Sequence, residues 1–593
     1  MIVWNCGRPY ICLSISHLWT WWFKPSFSSV SSLVSPFFCM QTLRVKAGLA
    51  KKHQLFRATS ASKVVAHLSL QPLWDLLGIS HGSSYWESSD HWSLYDSLEP
   101  VTEVDVFISH SWSCPSWIKA LAVCHYLNLD LAILSACLAT LLSVSLLVFT
   151  AGSFSGVAQL SQGLLFSCLI CWPVVSFLIP YLFGHTAFVR KSFWIDQVCV
   201  DQEKKETKAK ILEAIPAFVA HSAQMLVLWD STYFERLWCN YELAVHAKTF
   251  VSEDATQLVP MWMPLWTLSW FSIASLTSSL AVGQQSPQLD LESRRSLFLS
   301  AFNSNFVPFF VYLLSALPFS WFCLRKIQSH KLMLDQMSHF NLGHANCSLD
   351  SDRKLIEEQV LQLFDEALAP PVQVCFCAGA HEDYDDHEVL VSPEDIQEIR
   401  HITSYPSGIE VLDQFNAYVR GPLSDIVLRS VGKEQSISCK LCFVVSFPLW
   451  LLGLVFVLGC DGRSECETSA MYAGYGTVSE YMASNAAINL LFQPLVNVLG
   501  LPLMLWANHL TTTCFSAYSL QILIGSVLSG LVLKLMDNLF FAQRGMLVVV
   551  VTRFSTTWLA GLIASVILEL VLFWLLFLRS WRHQHVRAVA CVT

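Results

Sequence analysis

The stretches SFWIDQVCVDQ (Ser192–Gln202) and AQMLVLWDSTYFERLWCNYELAVHAK (Ala223–Lys248) decide the fold of this chain. Each contains a short, continuously apolar run, which is typical of strands that are buried on both faces of a parallel sheet. The residues between them, and those from Arg236 to Phe250, place apolar side chains at helical spacing. Gln257–Met261 has the length of one further strand. Strands that alternate with helices in this way predict a parallel α/β sheet.

The composition places this sheet in a membrane protein. The chain has 593 residues, of which 54% are apolar and only 14% charged, whereas about a quarter of the residues of a soluble globule are charged. The apolar residues come in runs of about 20, the length that a helix needs to cross a bilayer. A net charge of −9 without a basic stripe argues against a nucleic-acid partner. Many of the 20 cysteines lie inside apolar runs, where a thiol behaves as a small hydrophobe, so we predict no disulfide framework.

Eight apolar runs predict eight transmembrane helices in groups of two, two and four. Basic pairs such as Arg190-Lys191 and Arg325-Lys326 follow the first two groups, and the even count returns each soluble segment to the same side. Because short loops rich in lysine and arginine stay in the cytosol, the soluble regions are predicted to be mostly cytosolic. The predicted spans are Leu129–Ala151, Gly163–Gly184, Trp262–Val282, Phe306–Leu324, Leu441–Leu458, Ala487–Trp506, Leu520–Leu535 and Trp558–Leu578.

These spans divide the chain into predicted regions. The regions are a poorly defined, loosely ordered cytosolic segment (1–100), an α/β domain in two pieces (101–128 and 186–261), a transmembrane hairpin inserted between those pieces (129–184), a second transmembrane pair (262–324), a cytosolic helical region (325–440), a four-span bundle (441–578) and a basic cytosolic tail (579–593). The outer loop Gly459–Asn485 contains Cys460 and Cys466, which would form a small disulfide in an oxidising compartment.

The segment VDVFISHSW (Val104–Trp112) is predicted to supply the first strand of the α/β domain, although two apolar runs separate it from the rest. A hairpin that leaves and returns to one side of a membrane brings its two ends close together. We therefore expect Asp105–Trp112 to pair beside Phe193–Ile195 in one sheet. Since the chain becomes apolar again directly after Met261, the sheet is predicted to stop at four strands.

These segments resemble Toll/interleukin-receptor (TIR) domains. DVFISHSW resembles the first conserved box of the family, and WIDQVCVDQ stands where the second strand and its loop belong. SAQMLVLWDSTYFERLWCNYEL resembles the third strand and the Ser-x-x-Tyr…Trp-Cys-x-x-Glu-Leu helix start of plant and bacterial TIR domains. The resemblance covers about 85 residues, under a fifth of the chain. WIDQVCVDQ is also similar to a box of fungal heterokaryon-incompatibility domains, which are themselves TIR-like.

The resemblance implies a small flavodoxin-like domain and, in those members that cleave NAD, a catalytic glutamate at the position of Glu242. A carboxylate there would stabilise the oxocarbenium character that develops when the nicotinamide–ribose bond breaks. Ligands of open α/β sheets bind at the carboxyl ends of the strands. The predicted substrate-binding residues there are Ser109, His110, Ser111, Trp112, Asp230, Ser231 and Trp238. NAD would be the substrate, and no cofactor or metal is predicted.

Other interpretations remain open. A glutamate early in a helix also complements the helix N-terminus without any chemistry. Many TIR domains are adaptors without enzymatic activity, so homotypic TIR–TIR self-association in signalling is an alternative function. The loop residues His110, Ser111 and Trp112 stand where related hydrolases often carry arginine.

The last spans support a different class of function, a transporter or channel with a regulatory TIR-like module. Ionisable groups in apolar segments are costly and face partners or wet cavities. Lys534 and Asp537 are predicted to pair at i,i+3, and Glu569 either pairs with Arg553 or lines an ion path. A group of His and Cys residues has two alternative interpretations, a zinc site and an ordinary acidic loop. The candidate zinc ligands are His339, His344, Cys347, Cys375, Cys377, His381 and His387.

Overall fold

The computed structural model describes residues 54–76, 95–201, 204–249, 255–283, 297–347, 350–364, 408–459 and 474–578, together with 467 and 470–471. This part of the chain is a helical protein with one small mixed sheet. Six of its helical segments are long and apolar enough to cross a membrane. The six are Ser116–Ala151, Gly163–Thr186, Cys439–Leu458, Val478–Cys514, Tyr518–Arg553 and Thr556–Phe577.

The helices follow one another along the whole described chain. They are α1 (Ala61–Leu76), α2 (Ser116–Ala151), α3 (Gln162–Phe166), α4 (Trp172–Phe183), α5 (Asp196–Cys199), α6 (Lys205–Ala220), α7 (Leu237–Thr249), α8 (Trp262–Gly283), α9 (Leu297–Ser338), α10 (Asp350–Phe364), α11 (Gly408–Tyr418), α12 (Ser424–Ser430), α13 (Cys439–Leu458), α14 (Val478–Ala487), α15 (Gln493–Cys514), α16 (Tyr518–Arg553) and α17 (Thr556–Phe573). The two other predicted spans fall on α8 and α9, which are helical but are not among the six, so a total of eight stays a prediction.

The sheet has six strands in the order β2-β1-β4-β3-β5-β6. The strands are β1 (Arg57–Ser60), β2 (Glu99–Pro100), β3 (Val104–His110), β4 (Ser192–Trp194), β5 (Ser222–Trp229) and β6 (Thr256–Pro260). The four strands β4, β3, β5 and β6 are parallel to their neighbours among these four. β1 is antiparallel both to β4 and to β2.

The predicted pairing across the apolar hairpin is present. β3 pairs with β4 in parallel, with Val106 opposite Phe193. The carboxylate of Asp105 accepts hydrogen bonds from the backbone N–H of Ser192 at 2.7 Å and from its hydroxyl at 2.8 Å. Because Ser192 follows the hairpin closely, this contact marks the amino-terminal edge of the sheet as the edge nearest the apolar spans. The carboxyl ends of the strands lie at the opposite edge.

The prediction of a four-stranded sheet was wrong, because two strands come from the first hundred residues. β1 covers the side of β4 that would otherwise be an unpaired edge, with Thr59 opposite Phe193. α1 follows β1 directly and buries Val64 and Leu68 in the core of the sheet. The part of residues 1–100 that the structure describes is therefore an ordered layer of the α/β unit.

The described parts of the predicted helical region 325–440 pack into the α/β unit. Met337 at the end of α9, Val360 in α10 and Phe415 in α11 belong to the same buried cluster as the sheet. A second buried cluster lies among the apolar helices, including residues of α2, α4, α8, α13 and α15. The sheet and the membrane-type helices therefore have separate cores that are joined by continuous helices such as α2 and α9.

Candidate functional site

The candidate site lies at the carboxyl ends of β3, β4 and β5. From β3 the chain crosses to β4 on one side, and from β4 it crosses back over to β5 on the other side of β3. Connections that diverge in this way leave a crevice at the carboxyl ends of the neighbouring strands, where open α/β sheets bind ligands. The loop Ser109–Trp112 follows β3, Asp196 follows β4, and Asp230 follows β5.

Three side chains form the centre of the site. The hydroxyl of Ser109 donates a hydrogen bond to Oε2 of Glu242 at 2.5 Å, and it lies 2.8 Å from the hydroxyl of Tyr233. Ser109 is at the end of β3, Tyr233 is in the turn after β5, and Glu242 is in α7. Ser109 and Tyr233 are buried and Glu242 is partly buried. The structure thus brings the two predicted residues Ser109 and Glu242 into direct contact.

The environment of Glu242 disfavours its ionised form. Burial raises the pKa of Glu242 to about 8, a hydrogen bond from Ser109 and the charge of Arg236 oppose that rise, and the charge of Asp196 adds to it. At neutral pH the carboxyl group is therefore mostly protonated. Burial also raises the pKa of Tyr233 and of Cys239 well above their ordinary values, so both stay neutral. A carboxyl group in this state ionises readily when a cation arrives beside it.

A second carboxylate, Asp196, organises the loop after β3. Its Oδ1 lies 3.1 Å from Nε2 of the buried His110, and its Oδ2 accepts a hydrogen bond from the indole N–H of Trp112 at 2.8 Å. Burial favours the neutral acid, but the attraction of His110 and the contacts from His110 and Trp112 outweigh it, so the pKa of Asp196 is lowered. Trp112 itself is 52% exposed.

Asp230 ties the loops after β3 and β5 together. It accepts hydrogen bonds from the hydroxyls of Ser111 and Ser113 and, at 2.9 Å each, from the backbone N–H and the hydroxyl of Thr232. Ser231 is exposed, and its carbonyl oxygen accepts a hydrogen bond from the amide of Gln336 in α9 at 2.6 Å. The predicted residues Ser111, Asp230 and Ser231 therefore belong to one connected edge of the site.

Trp238 is not brought into this cluster by any described contact. Its ring packs edge-on against Tyr241, with 6.1 Å between the ring centroids. The neighbouring Cys239 is buried and donates from its thiol to the carbonyl oxygen of His110 at 3.4 Å. Cys239 thus holds α7 against the loop after β3, and the substrate-binding role of Trp238 stays a prediction.

Sequence reasoning missed three residues of the site. Tyr233 and Asp196 lie within the quoted motifs, so their position after predicted strands was an available signal. Lys119, in the first turns of α2, is only 1% exposed, and its ammonium group makes no hydrogen bond to any described residue. Its closest charged neighbours include Asp196 and Asp230. A lysine at the start of an apolar helix gave no signal that it would lie beneath the site.

The ionisable residues of the last helices have local partners. Nζ of Lys534 lies 3.1 Å from Oδ2 of Asp537, which confirms the predicted pair. Glu569 is buried and accepts a hydrogen bond from the amide of Gln543 at 2.9 Å, so the expected pairing with Arg553 was wrong. Arg553 instead ends α16.

The zinc interpretation finds no support within the described residues, where no three His, Cys, Asp or Glu side chains converge as metal ligands. His339, His344 and Cys347 are among these described residues. The other candidates, and the two cysteines of the outer loop, lie outside the described residues; they are Cys375, Cys377, His381, His387, Cys460 and Cys466.

Comparison of the chain with protein-family models, with curated proteins and with solved structures finds no match. Any statement about its activity therefore depends on the geometry of the site and on the resemblance of its motifs.

Proposed function

We propose that the chain is a membrane-anchored, TIR-like signalling protein whose α/β unit cleaves NAD at the nicotinamide–ribose bond, with Glu242 as the catalytic residue. The contact of 2.5 Å between Ser109 and Glu242 carries this proposal, because it unites two distant motifs at the edge of the sheet where ligands bind. The strand order also supports it. Numbered along the chain, the parallel strands run 2-1-3-4, which is the beginning of the flavodoxin-like order.

The charges around Glu242 suit a cationic substrate. The nicotinamide ring of oxidised NAD is positively charged, and Asp196 and Asp230 lie at the same strand ends. The approach of the positively charged nicotinamide ring favours the ionised form of Glu242. The carboxylate then faces the positive charge that develops at the ribose. The bond between C1′ and the ring nitrogen breaks with its electron pair going to the ring, which leaves as neutral nicotinamide. Water adds to C1′, and its proton passes to Glu242 and then to solvent.

The test is nicotinamide release from NAD by the full-length chain in detergent. Glu242→Gln keeps the shape of the side chain and removes its charge, so release should fall at least a hundredfold, in the range typical for loss of an acid–base group. Glu213→Gln is a matched control, since Glu213 is exposed on α6. The kcat/KM value of the wild type should rise with pH up to about 8, where Glu242 ionises in the free protein. Equal release by both variants would refute the catalytic role.

If the wild-type chain itself releases no nicotinamide, the enzymatic part of the proposal fails. The remaining function is then a cytosolic module that signals by homotypic self-association at the bilayer. Crosslinking of the full-length chain in membranes, with and without removal of the exposed indole by Trp112→Ala, measures that association independently of NAD cleavage.

A transport function has one observation in its favour, the buried carboxyl group of Glu569 in an apolar helix. Its hydrogen bond from Gln543 already gives it a structural role, which makes transport the weaker proposal. If proteoliposomes with the Glu569→Gln variant show the same flux as those with the wild type, the transport proposal is refuted.

A further inference from the structure

A polar cavity of about 250 Å³ lies on the α/β unit. It is bounded by the start of β1, by the segment that precedes β2, and by the start of α6 with the residue that precedes it. Its lining residues are Leu55, Arg57, Tyr95, Asp96, Asp201, Lys204, Thr207 and Lys210. None of these residues belongs to the cluster around Glu242, so the cavity is separate from the proposed catalytic centre.

The cavity has an excess of positive charge. Three cationic side chains line it, against the two carboxylates of Asp96 and Asp201. Both carboxylates contact Lys204: Asp96 forms an ion pair with its ammonium group at 3.5 Å, and Asp201 accepts from its backbone N–H at 3.1 Å. Lys204 balances only one of the two carboxylates. Arg57 and Lys210 therefore face the remaining charge of Asp201, and three cations against two carboxylates leave an excess of one positive charge in the cavity.

Arg57 is held in place by the backbone. Its Nη1 donates to the carbonyl oxygens of Tyr95 at 3.0 Å and of Leu98 at 3.2 Å, and its guanidinium group lies 4.5 Å from the centre of the Tyr95 ring. Within the described part of the chain, Nη2 of Arg57 makes no hydrogen bond, and neither does the side chain of Thr207 or Lys210. A fixed guanidinium group with a free nitrogen loses little conformational entropy when it binds an anion.

We infer that this cavity binds the phosphate group of a small phosphate monoester, the size of a sugar phosphate. Arg57 and Lys210 supply the positive charge, and Thr207 supplies a hydroxyl donor. Charge-assisted hydrogen bonds to phosphate are the strong contacts that such a set provides. The volume is below that of typical pockets for drug-sized ligands and therefore suits a ligand smaller than a dinucleotide. Leu55 and the ring of Tyr95 provide an apolar wall of the cavity, against which the sugar packs.

The experiment is isothermal titration calorimetry of the full-length chain in detergent and phosphate-free buffer, with inorganic phosphate and ribose 5-phosphate as two separate probes. Saturable binding of either probe is expected, and tighter binding of ribose 5-phosphate would show that the sugar wall contributes. Equal affinities would mean that the cavity recognises the phosphate group alone. Lack of saturable binding for both probes overturns the inference.

Single substitutions test whether the probe binds in this cavity. Lys210→Gln should weaken the affinity for the bound probe about tenfold, which corresponds to ~1.4 kcal/mol, and Thr207→Val should weaken it less. Lys205→Gln is the matched control, because Lys205 is exposed on the same helix but does not line the cavity. If Lys205→Gln weakens binding as much as Lys210→Gln, the probe is attracted only by the general charge of the helix, and the assigned site is wrong. Thermal unfolding curves that match the wild type establish that the variants are folded.

Discussion

Replacing Glu242 by glutamine should change how the stability of the protein depends on pH. The pKa of Glu242 is raised by burial from 4.5 to about 8. Between these values the folded protein keeps the proton and the unfolded chain has lost it, so the folded state is progressively destabilised as the pH rises. Below pH 4.5 both states are protonated, and above about pH 8 both are ionised, so the effect is confined to this window. Glutamine does not titrate and removes the effect.

The size of the change follows from the gap between the two pKa values. One pKa unit corresponds to about 1.4 kcal/mol, which gives an upper bound of about 5 kcal/mol for the step from 4.5 to 8. Since the side chain of Glu242 is partly exposed, solvent screening reduces the expected value to roughly 3 kcal/mol. The variant should therefore gain this much stability relative to the wild type between pH 5 and pH 8.5, with the gain complete at the upper end.

The assay is urea unfolding of the full-length chain in detergent micelles, followed by tryptophan fluorescence at several pH values. Histidines and other titrating groups are common to both proteins and cancel in the difference. Glu213→Gln, on the exposed face of α6, serves as a control that should follow the wild type at every pH. If the difference between wild type and Glu242→Gln stays constant from pH 5 to pH 8.5, Glu242 titrates normally and the account of its environment is wrong.

Three further predictions follow from contacts described above. Asp105→Ala removes the acceptor of two hydrogen bonds that join β3 to β4 and should cost about 1 kcal/mol of unfolding free energy; an equal loss in the exposed neighbour variant Glu103→Ala would contradict this. Ser109→Ala removes a hydrogen bond that lowers the pKa of the site glutamate, so the rise of kcat/KM with pH should move above pH 8. Gln543→Leu deprives Glu569 of its donor and should lower the thermal midpoint in detergent, while Glu569→Gln should change it far less.

The parallel strands of the sheet were accessible from the sequence because each is a short apolar run bounded by polar residues. The pairing of β3 with β4 was accessible as well, since a hairpin that returns to one side brings its ends together. β1 was missed because its sequence, Arg-Ala-Thr-Ser, has neither a continuous apolar run nor alternation. A strand of this kind forms because it pairs with the edge of β4, and its own residues do not show that contact.

The residues of the site also divide into those that the sequence predicts and those that it does not. Ser109 and Asp230 could be predicted because they end apolar strands, and residues at the carboxyl ends of parallel strands meet at one edge. Lys119 and Gln543 could not be predicted. The sequence of a helix does not show which residues of other elements will contact a single polar side chain. The partner of Glu569 illustrates the difference: the charged Arg553 was the obvious candidate, but the neutral Gln543 faces it.

α9 connects a predicted membrane span to the candidate site through one long helix. Its 42 residues form one helix of about 63 Å, which contains the predicted span Phe306–Leu324 and whose far end carries Gln336, bonded to Ser231. A rigid rod of that length converts each degree of tilt at one end into a displacement of about 1 Å at the other. A tilt of about 3° would therefore displace the loop after β5 by roughly the length of a hydrogen bond.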